Sequence, residues 1–168
     1  LEEVSIIKSY QSSDVSSIGI QAWYATLEAT IVTTENFSVG VTMRNTEYSG
    51  DMIANVGGNS VGTEIIDSAV ILDVLTTKYQ TYGVQLSESS TLSVSQLVGE
   101  LHDQPLEVGA NSVVYALDFT TINTNPSNSD ASGLGTLYYG YDINLDVTTA
   151  TSDYFVLTNV KFTDSTGN

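Results

Sequence analysis

Three oxygen-bearing side chains, Asp142, Asn144 and Asp146, recur at every second position near the C-terminus. On an extended strand this spacing puts them on one face, roughly 6–7 Å apart. Hard oxygen donors suit Ca2+, so these three are the candidate metal ligands, and Ca2+ is the one cofactor the sequence suggests. An EF-hand loop would continue with glycine, whereas Val147 stands there. One strand cannot wrap a cation, so further ligands would have to come from elsewhere, with Glu2, Glu3 and Asp51 as candidates. The competing reading is a solvated polar face.

His102 is the single histidine and precedes Asp103. A His–Asp pair can orient a general base, but no nucleophile elbow or glycine-rich oxyanion loop accompanies it. It reads as a surface histidine following a short helix. Twenty carboxylates supply many pairs at the spacing glycoside hydrolysis requires, so no pair stands out. No catalytic residue is assigned, and the chain is expected not to be an enzyme. Trp23 and the ten tyrosines could form a sugar-binding platform. Asn36-Phe37-Ser38 is the usable glycosylation sequon, since Pro126 excludes Asn125.

The composition narrows the class of partner. Four Lys and Arg against twenty acidic residues give a formal net charge of −16. Such a surface repels nucleic acid and anionic lipid. Only 14% of residues are charged and none is cysteine, so the polar surface is largely Ser, Thr, Asn and Tyr. That surface suggests an extracellular or cell-surface protein. The chain opens on Leu1 and is expected to have lost a signal peptide. No apolar run reaches the length of a membrane span, so no membrane insertion is expected.

The elements that would position these residues are strands. Period-two alternation marks Thr26 to Ile31 and Phe37 to Arg44, joined by a short connection, which reads as a β-hairpin over 25–44. Ser16 to Tyr24, Val113 to Thr120, Leu137 to Thr148 and Tyr154 to Phe162 also read as strands. In the second of these, Val113, Tyr115, Leu117 and Phe119 are expected to face inward. Tyr48 to Gly62 reads as a loop, and Glu64 to Leu75 favours one buried strand. Ser95 to His102 suggests a short helix, and Thr121 to Gly135 a long polar loop. No internal repeat is evident. The expected fold is all-β: one antiparallel, jelly-roll-like β-sandwich over 18–168, preceded by an N-terminal strand and tether over 1–17.

That N-terminal strand carries the functional expectation. Val4, Ile6 and Tyr10 share one face, broken by Lys8, and Ile7 lies on the other. The Ser-rich stretch 11–17 suits a tether. An apolar strand so tethered can fold back as an edge strand or complete the sheet of a neighbouring copy, as in β-augmentation. Head-to-tail repetition of the second contact builds a filament. In this layout the chain resembles the exported, cysteine-free β-sandwich subunits of archaeal threads and bundling pili, and the related bacterial biofilm-matrix fibre proteins. The resemblance implies an extracellular filament of identical copies assembled by donor-strand exchange through Val4, Ile6, Ile7 and Tyr10. The alternatives are a carbohydrate-binding or adhesin module, and a viral capsid, tail or decoration protein.

Overall fold

The computed structural model describes residues 3–7, 17–58, 60–122 and 131–139. It is all-β as expected, with no helix among the described residues. The strands, however, pair in parallel throughout and stack into a β-solenoid of about 5 turns. The antiparallel, jelly-roll-like sandwich is therefore corrected. Alternation reports that a strand has one wet and one dry face; it carries no information on strand direction.

Each coil supplies one strand to each of two sheets. Sheet A runs β1 (Glu3–Ile7), β4 (Ile31–Glu35), β6 (Glu47–Val56), β8 (Ala69–Lys78), β10 (Thr91–Glu100), β12 (Val113–Ile122) and β14 (Thr136–Tyr139), with β3 (Thr26–Glu28) also on β6. Sheet B runs β2 (Ile18–Trp23), β5 (Val39–Arg44), β7 (Val61–Ile66), β9 (Tyr82–Ser87), β11 (Gln104–Val108) and β13 (Ala131–Gly133). The expected hairpin over 25–44 is absent: β4 and β5 belong to different sheets, and each pairs with the strand of the next coil. The expected loop at 48–62 contains most of β6, and the expected helix at 95–102 lies largely in β10. The expected single strand at 64–75 is divided by the corner at Asp67-Ser68, and β13 lies within the expected loop at 121–135.

A repeat also exists where none was evident. Glu47 aligns with Ala69, Ala69 with Thr91, and Thr91 with Val113 in sheet A. Ile18 aligns with Val39, and Val61 with Tyr82, in sheet B. Such stacking places each inward side chain over its counterpart in the next coil. The column Val32, Ile53, Leu75, Leu97 is buried, as are Val70, Leu92, Val114 in sheet A and Met43, Ile65, Leu86, Val108 in sheet B. Alternation in sheet A breaks where Asp51-Met52, Asp73-Val74 and Leu117-Asp118 place successive residues away from the core. In the first part of β12 the wet and dry faces are the reverse of those expected, with Val114 and Ala116 buried and Tyr115 and Leu117 exposed, whereas Phe119 packs against the core as expected.

Two corners turn the chain between sheets, each through a stacked left-handed residue. One row is Tyr24, Asn45, Asp67, Ser89 and Asn111; the other is Asn36, Gly57, Tyr79 and Leu101. The first corner is fastened by a hydroxyl ladder. The amide of Thr46 donates to Ser68 Oγ at 3.0 Å, that of Ser68 to Ser90 Oγ at 3.3 Å, and that of Ser90 to Ser112 Oγ at 3.1 Å. Buried corner amides are thereby paired, which removes a cost of about 1–3 kcal/mol for each group otherwise left unsatisfied.

A glycine column in sheet B, Gly19, Gly40, Gly62 and Gly83, faces sheet A with no room for a side chain. A Cβ at Gly62 would lie 2.6 Å from the Gly83 carbonyl oxygen and 2.7 Å from Thr77 Cγ2. Gly62→Val is expected to destabilise the fold by about 1–3 kcal/mol or more. Urea denaturation checks this, and an unchanged midpoint would contradict the close approach.

Candidate functional site

Opposite the glycine column runs a buried polar seam. Thr34 Oγ1 donates to Asn55 Oδ1 at 2.5 Å, and Asn55 Nδ2 donates to Thr63 Oγ1 at 2.6 Å. One and two coils further on, Thr77 and His102 continue it. His102 Nε2 lies 2.8 Å from the Thr77 carbonyl and 3.0 Å from Thr77 Oγ1, while Nδ1 lies 2.9 Å from the Gln80 carbonyl. His102 is only 2% exposed. The surface histidine after a helix is thus corrected: His102 follows β10 and turns inward, and its ring nitrogens serve the interior. Buried polar groups are tolerated when hydrogen-bonded, and the glycine column leaves the seam the room it needs.

The N-terminal strand lies at an edge of sheet A. Val4 aligns with Val32 of its own chain, Ile6 with Thr34 and Ile7 with Glu35. Val4 packs partly buried against the core. The connection from β1 to β2 takes in positions 8–17, whereas its counterpart from β4 to β5 takes in only 36–38. The first coil is therefore joined across the sheets by a much longer stretch of chain than the second. Tyr10 falls outside the described residues, as do Asp142, Asn144 and Asp146. Among the described residues no group of three or more His, Cys, Asp or Glu is placed to hold a metal ion. Asn36 sits half-buried at a corner with φ 66°, its amide donating to Glu35 Oε1 at 3.4 Å.

A shallow groove of about 650 Å3 follows the first corner. Three rows define it. The left-handed residues Tyr24, Asn45, Asp67 and Ser89 form one wall, and the strand starts Thr26, Glu47, Ala69 and Thr91 form the other. Ala25, Thr46 and Ser68 make the floor. The floor hydroxyls are committed inward: Thr46 Oγ1 donates to the Ala22 carbonyl at 3.1 Å or that of Arg44 at 3.0 Å, and Ser68 Oγ to that of Ile66 at 2.7 Å. Tyr24 is 79% exposed and Trp23, beside it in sequence but not lining the groove, is 55% exposed. The groove was illegible in the sequence because each coil adds only one short piece to its walls, and the pieces lie far apart along the chain. The dipeptides Asn45-Thr46, Asp67-Ser68, Ser89-Ser90 and Asn111-Ser112 are the signal that would have revealed it.

Other surface features lie on sheet A. Tyr115 and Tyr138 align in register and stack, with centroids 5.2 Å apart and planes 8° from parallel. At the second corner, Lys78 Nζ pairs with Glu100 Oε1 at 2.8 Å and sits 4.9 Å from the Tyr79 ring centroid. The hydrogen bond to Glu100 is the main cause that raises the Lys78 ammonium above its ordinary range.

The chain matches no protein-family model, curated protein or solved structure. No helix among the described residues is long and apolar enough to cross a membrane.

Tyr48, which directly follows Glu47 of the groove wall, donates its hydroxyl to the Ala29 carbonyl at 3.1 Å. Burial, with a smaller contribution from the Asp51 carboxylate, pushes its phenol up to about 12. A folded-state value above the unfolded one stabilises the fold fully below about pH 10, and the gain is lost as pH rises to about 12. Ultraviolet titration should therefore show one phenol ionising near pH 12, removed by Tyr48→Phe. Its absence in the native protein would contradict this placement.

Proposed function

We propose that this chain is a non-enzymatic structural module of an extracellular filament, built from copies joined through the N-terminal strand. The observation that carries the reading is the position of β1. It occupies an edge of sheet A, where an exposed strand would offer unpaired backbone groups. It reaches β2 through positions 8–17, a far longer connection than the equivalent one at 36–38 in the next coil. The slot beside Ile31–Glu35 is filled here by β1 of the same chain; in the proposed filament a neighbour's β1 takes that place. Exchange between copies swaps an identical pairing and so costs little in contacts.

Two further features favour a structural role. A solenoid is quasi-one-dimensional, so further coils or subunits continue it without altering its interior. The charge of −16 keeps lateral association weak, which suits end-on growth better than sheet-on-sheet clumping. The low charged fraction, which leaves a surface of Ser, Thr, Asn and Tyr, supports an extracellular setting. Among the described residues, the single histidine is spent on the interior.

Removal of residues 1–12 should leave a subunit that does not elongate and that binds an added peptide of residues 1–12. A peptide carrying Val4→Asp and Ile6→Asp should not bind. Analytical ultracentrifugation and negative-stain microscopy read both. If the truncated chain polymerises as the full chain does, strand exchange is not the joint.

A further inference from the structure

We propose that the first-corner groove binds an uncharged oligosaccharide laid along the solenoid axis. This inference is independent of the filament reading, because it concerns the side of the stack and not its end.

The shape comes first. The groove crosses four coils, from Tyr24 through Asn45 and Asp67 to Ser89. At the strand spacing of a sheet, three steps span roughly 14 Å. That length holds a short run of sugar rings, and one coil is comparable in height with one hexose. The walls then repeat polar groups at the pitch of the ligand, an arrangement a solenoid supplies by construction.

The chemistry follows. Asn45 offers both donor and acceptor, Thr26, Ser89 and Thr91 offer hydroxyls, and Glu47 and Asp67 offer carboxylate acceptors. Sugar hydroxyls donate and accept and match this set. The floor hydroxyls are already engaged with backbone carbonyls, so the walls do the recognising. Tyr24 stands 79% exposed at one end, and its ring offers an apolar face for a pyranose. No Lys or Arg lines the groove, and two carboxylates do. Uronate and sulphated chains are therefore repelled. An amino-sugar chain would be attracted by net charge anywhere on the surface, without needing this groove.

The test is nuclear magnetic resonance titration of the full chain with hexamers of glucose (β-1,4 and α-1,4), mannose and N-acetylglucosamine. Hexagalacturonate and a chitosan hexamer serve as charged probes. At least one neutral hexamer should saturably shift the amides of Asn45, Asp67 and Ser89, with no dependence on salt. Tyr24→Asn, which suits the left-handed backbone, should weaken binding roughly tenfold, the loss expected for one ring contact. Glu47→Ala should weaken it as well. Tyr115→Ala, outside the groove, should leave it unchanged. The proposal is overturned if no neutral hexamer binds at millimolar concentration, or if the shifts fall elsewhere. Binding confined to chitosan and lost in high salt would also overturn it, since that is charge capture alone.

Discussion

The structure depends on one steric constraint: along its glycine column, sheet B can carry nothing larger than hydrogen. Gly40 and Gly62 press their backbone against Thr34, Asn55 and Thr77. Glycine costs stability inside a strand, and four in a column is a large concession. What it permits is a buried polar seam at full hydrogen bonding, Thr34–Asn55–Thr63 and Thr77–His102. The seam fixes the register, because a slip of one residue would drive Asn55 against an apolar partner and a Cβ into the glycine row. In-register stacking then follows for the apolar columns, the corners and the hydroxyl ladder.

The sequence disclosed half of this. Alternation located β5 and β12 closely, and Val41 and Met43 are in the core as their spacing implied. It misread β10 as a helix because Ser95-Gln96 interrupts the alternation, leaving Leu97, Val98 and Leu101 at a helix-like spacing. It missed the repeat because the stacked corner positions need a left-handed backbone and not one residue type. Tyr24, Asn45, Asp67, Ser89 and Asn111 all satisfy that need with little likeness among them. The recurring Asn/Asp/Ser-Ser/Thr pairs and the evenly spaced glycines were visible, but they gain meaning only once parallel stacking is considered. The candidate Ca2+ ligands Asp142, Asn144 and Asp146 and the strand at 154–162 lie outside the described residues.

The proposed function uses the same geometry. A solenoid places its open backbone at its ends and its repeated side chains along its flanks. Association is expected at the ends, where β1 lies, and recognition along the flank, where the corner groove lies. The interior, His102 included, holds the two sheets in register.

The in-register parallel stack is the claim from which the rest descends, and spin labelling tests it directly. The chain contains no cysteine, so pairs of labels can be placed at will on the outer face of sheet A. One label stays at Ser49, and its partner moves through Ile71, Ser93 and Tyr115, which the register places in one column. The account predicts separations that lengthen by roughly 4.8 Å at each move. Separations that fail to rise in equal steps, as an antiparallel sandwich would give, would contradict it.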